Sequence, residues 1–181
     1  MGEIRVAIAG VGNCASSLVQ GIEYYRNNGT KQVIGLMNEN LGGYRPQDLK
    51  FVVAFDIDKR KVGKDISEAI FQSPNCTKTI YKNVPNFGAK VMMGPVLDGF
   101  AAHMEDYSED RRFVVSNEKP CDVVSELKKN KVDVLINYMP VGSEQAAKFY
   151  AEAALEAGVA FVNCMPVFIA SNEEWAKRFE D

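Results

Sequence analysis

The chain has 181 residues, 46% of them hydrophobic and 25% charged, with a formal net charge of −3, the proportions of one sizeable globular α/β domain. No basic run exceeds Lys59-Arg60-Lys61 and no basic helix face stands out, which excludes nucleic-acid binding through a broad electrostatic footprint; no apolar run approaches the ~20 residues of a membrane span. Cys14, Cys76, Cys121 and Cys164 form no CxxC and His103 is the sole histidine, a set that argues against a metal site or a disulfide framework and for reduced thiols in a cytoplasmic protein.

In chain order, "IRVAIAG" (Ile4–Gly10) reads as a buried strand bounded by glycine, too soon broken for a targeting signal. "NCASSLVQGIEYYRN" carries Leu18, Val19, Ile22 and Tyr25 at helical spacing. Residues 28–50 are rich in turn formers and read as an insertion between the first helix and the second strand. "FVVAFDID" (Phe51–Asp58) is that second strand, apolar until it ends on carboxylates, and "DISEAIFQ" is a short helix with Asp65 as its N-cap. Residues 73–111 are irregular and punctuated by proline and glycine, too long for a simple loop and therefore expected to be functional or an incomplete part of the fold. "RFVVS" reads as a strand and "EKPCDVVSELKKNK" as a helix with Pro120 in its first turn. "VDVLINY" is a strand, "GSEQAAKFYAEAALEAG" a long helix stopped by Gly158, and "VAFVNCMP" another strand. "SNEEWAKRFE" opens a last helix with a capping box from Ser171 to Glu174. Alternating strands and helices, with strands apolar on both faces, predict a doubly wound, mostly parallel sheet covered on both sides, in one domain over residues 1–181.

Gly10, Gly12 and Ala15 fit G-x-G-x-x-G/A between a strand and a helix. The first glycine makes the tight turn, the second lets backbone approach a pyrophosphate, and the small third residue lets helix and strand pack closely. The helix N-terminus adds free N–H groups and a partial positive charge. A glycine turn without a ligand is the competing reading of the same spacing. The acidic partner expected at the end of the second strand is Asp56, 46 residues beyond Gly10 because of the intervening insertion. A carboxylate there accepts from ribose hydroxyls and repels a 2′-phosphate, favouring NAD over NADP, although Lys59, Arg60 and Lys61 stand close enough in sequence to pair with that phosphate. Asp58 either shares the ribose role or is a solvated turn residue, and Asp65 reads as a helix cap or, alternatively, a ligand contact. Asn137, Tyr138, Pro140, Asn163 and Pro166 leave the later strands at their carboxyl ends, where ligands sit in open α/β sheets; for the prolines, turn chemistry explains the placement equally well. Cys14 reads as a small residue beside the cofactor, and His103 as a surface or lid residue. The chain has no Ser-His-Asp set, Walker lysine or paired metal ligands.

The blocks "VAIAGVGNCASSLVQGIEYY", "FDIDKRKVGKDISEAIF", "GPVLDG", "VDVLINYMPVGSEQAAKFYAEAALEAGVAFVNCMPVFIAS" and "EEWAKRF" resemble the myo-inositol-1-phosphate synthase family in its bacterial and archaeal form. The resemblance runs from about Ile4 to Phe179 and is most specific between Asn137 and Ser171. It implies a Rossmann-like fold and conversion of glucose 6-phosphate to inositol phosphate with NAD used and returned. In that reaction hydride leaves C5 of the sugar, the adjacent carbon loses a proton, an intramolecular aldol step closes the ring, and hydride returns to C1. The resemblance places Gly10, Gly12, Asn13, Cys14 and Ala15 around the pyrophosphate, Asp56 and Asp58 on the ribose, and Asn137, Tyr138 and Pro140 toward the nicotinamide. It sets Gly94–Gly99 near the active site. Family members are about twice this length and form homo-oligomers, dimers or tetramers. The lysines and acids of the chemistry are expected in a portion this chain lacks, so the expectation is an NAD-binding portion that is inactive alone. A stand-alone NAD-binding module and a portion of a sugar-phosphate dehydrogenase are the alternatives.

Overall fold

The structure, a computed structural model, describes residues 2–28, 35–100 and 102–180. Its strands are β1 (Ile4–Ala9), β2 (Leu49–Asp56), β3 (Val91–Met93), β4 (Val134–Asn137) and β5 (Ala160–Asn163). They form one sheet in the order β3-β2-β1-β4-β5, and each pairing is parallel. The helices are α1 (Asn13–Asn28), α2 (Ile66–Ala69), α3 (Val123–Lys129), α4 (Glu144–Ala157) and α5 (Glu173–Glu180).

The two-residue period of β1 sorts the core into two layers. Val6 and Ile8 pack with Ala15, Val19 and Ile22 of α1 and with Ile66 and Ala69 of α2. Ala7 and Ala9 face the other way, into a cluster with Leu127 of α3 and Tyr150 and Ala154 of α4. The predicted doubly wound α/β architecture is therefore present, helices on both faces included. From β1 the chain steps outward to β2 and β3, then returns past β1 to β4 and β5. Strand order reverses between β1 and β4, and the crevice beyond the carboxyl ends of those two strands is where such a sheet holds ligands.

Several boundaries differ from the sequence reading. The stretch 73–111 contains β3, whose three apolar residues between Lys90 and Gly94 are too few to show a period; pairing with Ala54, Phe55 and Asp56 of β2 makes it a strand. "RFVVS" is not a strand: it makes a single antiparallel bridge, Val115 to Asp58. The third helix starts at Val123, where the Asp122 side chain accepts from Ser125 N as the N-cap, and Pro120 lies outside it; the Cys121 N–H donates to the Met93 carbonyl beside β3. Asn172, not Ser171, caps α5, its Oδ1 accepting from Trp175 N at 3.2 Å. Asp65 caps α2 as expected, accepting from Ser67 N at 3.0 Å. Of the expected insertion at 28–50, residues 29–34 lie outside the described residues; beyond them the chain makes a turn bridged from Leu41 to Tyr44 and a 3-10 turn over Pro46–Asp48.

Candidate functional site

The glycine turn leaves β1 and enters α1 at the mouth of the crevice. Gly10 sits at φ +89°, and a Cβ there would lie 2.8 Å from the Tyr138 carbonyl oxygen and 3.0 Å from its carbonyl carbon. Close approach of the β4 exit therefore requires glycine at position 10 on steric and conformational grounds together. Gly12 is different: a Cβ built on it meets nothing within 4 Å, and no protein atom of the described chain demands glycine there. Gly12 lines the cleft, so a side chain would project into ligand space. Ala15 is fully buried beneath it, the small residue against the sheet that the spacing required. Ser16 N donates to the Gly12 carbonyl at 3.0 Å, the first bond of α1, and the N–H groups of the preceding residues have no partner within the helix.

Side chains brace this turn from below. Asp56, at the end of β2, accepts from Val11 N at 2.8 Å through Oδ2, and from Ile57 N and Asp58 N at 2.8 and 2.9 Å through Oδ1. It lies on the cleft. Asn13 turns its Oδ1 away from the helix and accepts from Cys76 N, Thr77 N and Thr77 Oγ1 at 2.8, 3.0 and 2.8 Å, which fastens residues 76–77 to the start of α1. Pro74 and Asn75 thereby become part of the cleft wall.

The cleft has a volume of about 370 Å³, within the range of small-molecule sites. Its walls are mostly apolar, with Phe55, Leu97, Phe100, Phe113 and Met139 among them. Of the residues proposed from sequence, Gly10, Gly12, Asn13, Cys14, Asp56, Tyr138, Pro140 and Pro166 line it. Among the described residues, Asp56 is the one charged side chain in the lining, and no lysine, arginine or histidine belongs to it. His103 lies exposed in a separate 3-10 turn.

Ala15, Asp58, Asp65, Asn137 and Asn163, all proposed from sequence, do not line the cleft. Asp58 is fully buried and saturated: it accepts from Arg60 Nε and Nη2 at 2.8 and 2.5 Å, and from the Arg60 and Val114 N–H groups at 2.9 and 3.0 Å. Burial alone would raise its carboxyl pKa, but the guanidinium and these N–H groups override burial and hold it below the ordinary carboxylate range. Asp65 spends its oxygens on Ser67, Phe87 and Ala89 and is a cap, not a lining residue. Asn137 is fully buried behind the lining; its Nδ2 donates to Asn163 Oδ1 at 2.9 Å, and Asn163 in turn donates to the Val167 carbonyl, which ties together the exits of β4 and β5. The basic run is also committed elsewhere. Arg60 additionally donates to the Glu109 and Arg112 carbonyls at 2.5 and 2.7 Å, Lys59 pairs with Glu109 at 3.5 Å, and Lys61 is buried.

The "GPVLDG" stretch closes the cleft from the α4 side. A Cβ at Gly94 would collide with the Tyr150 hydroxyl, and one at Gly99 with Ser143 Oγ. Asp98 accepts from Gln145 N and Ala146 N at 2.6 and 3.0 Å and so caps α4. Among the lining residues that sequence reasoning missed are Asn75, Phe100 and Phe113; the long irregular stretch was the one signal for the first two, and Phe113 had none.

Among the described residues no group of three or more histidine, cysteine or acidic side chains is gathered as a metal ion requires, and no helix is long and apolar enough to cross a membrane.

No family model matches the chain. Its sequence is 56% identical over 181 residues to inositol-3-phosphate synthase of Mycolicibacterium smegmatis, covering 99% of this chain and 48% of that protein. It is 52% identical over 179 residues to inositol-3-phosphate synthase of Corynebacterium glutamicum, covering 98% of this chain and 48% of that protein. Among solved structures, Ari2 superposes with a TM-score of 0.81 at 34% identity, over 98% of this chain and 51% of Ari2. A myo-inositol-1-phosphate synthase-related protein from Thermotoga maritima superposes with a TM-score of 0.66 at 22% identity over 97% of this chain, a likeness of fold. The chain spans about half the length of the curated relatives it matches. The resemblance to inositol-phosphate synthases read from the sequence thus extends along essentially the whole chain.

Proposed function

We propose, from this kinship with inositol-3-phosphate synthases, that the chain binds NAD across the carboxyl ends of β1 and β4 and supplies the cofactor-holding portion of an inositol-phosphate synthase. Gly12 carries the proposal. It is a glycine that the protein's own packing does not need, at the N-terminus of a helix and on the wall of a cleft, which is where a pyrophosphate needs backbone without a side chain. NAD, when bound, accepts and returns a hydride.

The first-turn N–H groups of α1 hold the pyrophosphate through hydrogen bonds and the helix dipole. Asp56 gives three acceptor positions to backbone N–H groups and, of about four lone pairs on a carboxylate, keeps one for a ribose hydroxyl. Tyr138 and Pro140 line the approach to the nicotinamide. Arg60 is engaged by Asp58 and Lys61 by the turn itself, so a 2′-phosphate finds neither of these cations free, and NAD is preferred to NADP.

In the longer protein the substrate is glucose 6-phosphate, the product is an inositol phosphate, the assembly is a homo-oligomer and the compartment is the cytoplasm. The isolated chain does not turn over. Among the described residues its cleft offers no cationic side chain to a sugar phosphate or to the charge of an enolate, groups that stabilise such chemistry. Calorimetric titration of the chain with NAD and NADP, beside a product assay with glucose 6-phosphate, tests the reading. Saturable NAD binding, weaker NADP binding and no inositol phosphate are expected. A folded chain that binds neither nucleotide, or net accumulation of NADH from a sugar phosphate, refutes it.

A further inference from the structure

Lys61 carries a charge that nothing in the proposed chemistry uses. Its side chain is wholly buried, and burying an ammonium is costly unless it is paired and hydrogen-bonded. The compensation is concentrated on one residue of the glycine turn. Lys61 Nζ donates to the Val11 carbonyl at 2.8 Å and to Asn75 Oδ1 at 2.9 Å, with Asp56 Oδ2 at 3.9 Å. Asn75 Nδ2 donates to the same Val11 carbonyl at 3.1 Å and to the Ile70 carbonyl at 3.0 Å. The Val11 N–H goes to Asp56 Oδ2 at 2.8 Å. Both backbone polar groups of the middle residue in Gly-Val-Gly are therefore gripped by side chains from β2, from the turn after it and from the stretch after α2.

The peptide joining Val11 to Gly12 is planar and trans, so its carbonyl and its N–H point in opposite directions. Lys61 is absent from the cleft lining, whereas Gly12 belongs to it. A carbonyl drawn toward Lys61 directs the Gly12 N–H to the side away from the buried ammonium. The reverse peptide orientation would set a carbonyl oxygen where a pyrophosphate oxygen is to lie, and the two would repel. Resting on the dinucleotide reading of the site, we infer that Lys61, assisted by Asn75, is a positioning residue: it locks the Val11–Gly12 peptide so that an N–H rather than a carbonyl faces the pyrophosphate. The ammonium acts through the backbone and touches no part of the cofactor.

The test is Lys61→Met, which keeps length and apolar volume, in the 181-residue chain, with NAD and ADP as probes and amide NMR as the second readout. In the wild-type chain ADP shifts the Gly12 amide resonance. In a folded Lys61→Met chain, with the remaining spectrum dispersed as in wild type, NAD and ADP affinities fall by roughly tenfold or more and the Gly12 shift on ADP is lost. Asn75→Ala, a change in the cleft wall, is read by the Gly12 amide instead of by affinity: its shift on ADP is reduced, and this variant serves if Lys61→Met does not fold. NAD affinity within about twofold of wild type in a folded Lys61→Met chain overturns the inference, as does an undiminished Gly12 shift in Asn75→Ala or collapse of the dispersed spectrum in both variants, which makes the pair a plain fold element. A wild-type chain that binds neither NAD nor ADP fails at the earlier step and refutes the dinucleotide reading itself.

Discussion

The two glycines of the turn are expected to respond oppositely to the same substitution. Gly10→Ala introduces a Cβ 2.8 Å from a backbone oxygen at a residue held at φ +89°. The left-handed conformation costs an alanine about 1–2 kcal/mol, and overpacking against immobile backbone adds about 1–3 kcal/mol. A total of roughly 2–5 kcal/mol is a large part of the ~5–15 kcal/mol that holds a domain together. For a chain of this size it lowers the melting midpoint by roughly 5–20 °C. Gly12→Ala meets nothing within 4 Å. At this N-cap alanine is worse than glycine by about 1 kcal/mol at most, and part of that is recovered because alanine restricts the unfolded chain by about 0.4–1 kcal/mol. The midpoint should stay within about 4 °C of wild type, while NAD affinity falls by roughly tenfold or more, since the methyl group occupies the space of the pyrophosphate. Differential scanning calorimetry and NAD titration on the two variants give the comparison. Gly12→Ala unfolding as readily as Gly10→Ala, or binding NAD like wild type, would show that the turn is shaped for its own packing and not for a ligand.

Asp58→Asn releases the Arg60 guanidinium from its carboxylate partner, so NADP affinity relative to NAD should rise by roughly tenfold; an unchanged ratio in parallel titrations contradicts the view that this pair sequesters the cation. The same variant has a pH signature. The Asp58 carboxyl is held below the ordinary carboxylate range in the folded chain, so its contribution to stability is complete above the unfolded value and is lost as pH falls through the lower folded value. Urea unfolding from about neutral pH to about pH 3 should find the wild-type advantage over Asp58→Asn constant at first and shrinking below about pH 4; an advantage that grows with acid has the wrong sign. NAD affinity should change by less than about threefold between low salt and about 0.5 M salt, because backbone dipoles and not exposed cations hold the pyrophosphate; a steep loss in the same titration would assign binding to surface lysines.

The fold was legible because its signals are local. A glycine-bounded apolar run, a helical period at Leu18, Val19 and Ile22, and a Gly158 stop each survive without knowledge of neighbours. β3 did not survive that test: three apolar residues become a strand only because β2 offers them a partner. The helix start at Pro120 was placed too early, because the side chain that caps the helix is Asp122. Candidate residues sort in the same way. Glycines 10 and 12 were found by spacing, but the spacing does not say that one serves the protein and the other the cleft. Asp56, Asp58 and Asp65 look alike in sequence, as carboxylates after an apolar strand or before a helix. What separates them is how many lone pairs remain after the backbone and Arg60 have been satisfied, a quantity fixed by contacts up to 56 residues away, such as Asp58 to Val114.

The cations around the turn follow one physical logic. Phosphate sites commonly gather lysines and arginines, yet among the described residues none lines this cleft. An exposed cation on a flexible stem binds any phosphate, is screened by salt and pairs as readily with a 2′-phosphate as with the diphosphate bridge. Backbone N–H groups at a helix N-terminus are fixed in direction and carry only partial charge, so they select by geometry. The charge of Lys61 is spent beneath the turn on the orientation of one peptide, and that of Arg60 on Asp58 and two carbonyls. Both cations therefore contribute rigidity to the neutral donors instead of competing with them. On the proposed reading, discrimination between the two nicotinamide cofactors rests both on Asp56 at the cleft and on the internal carboxylate that holds Arg60.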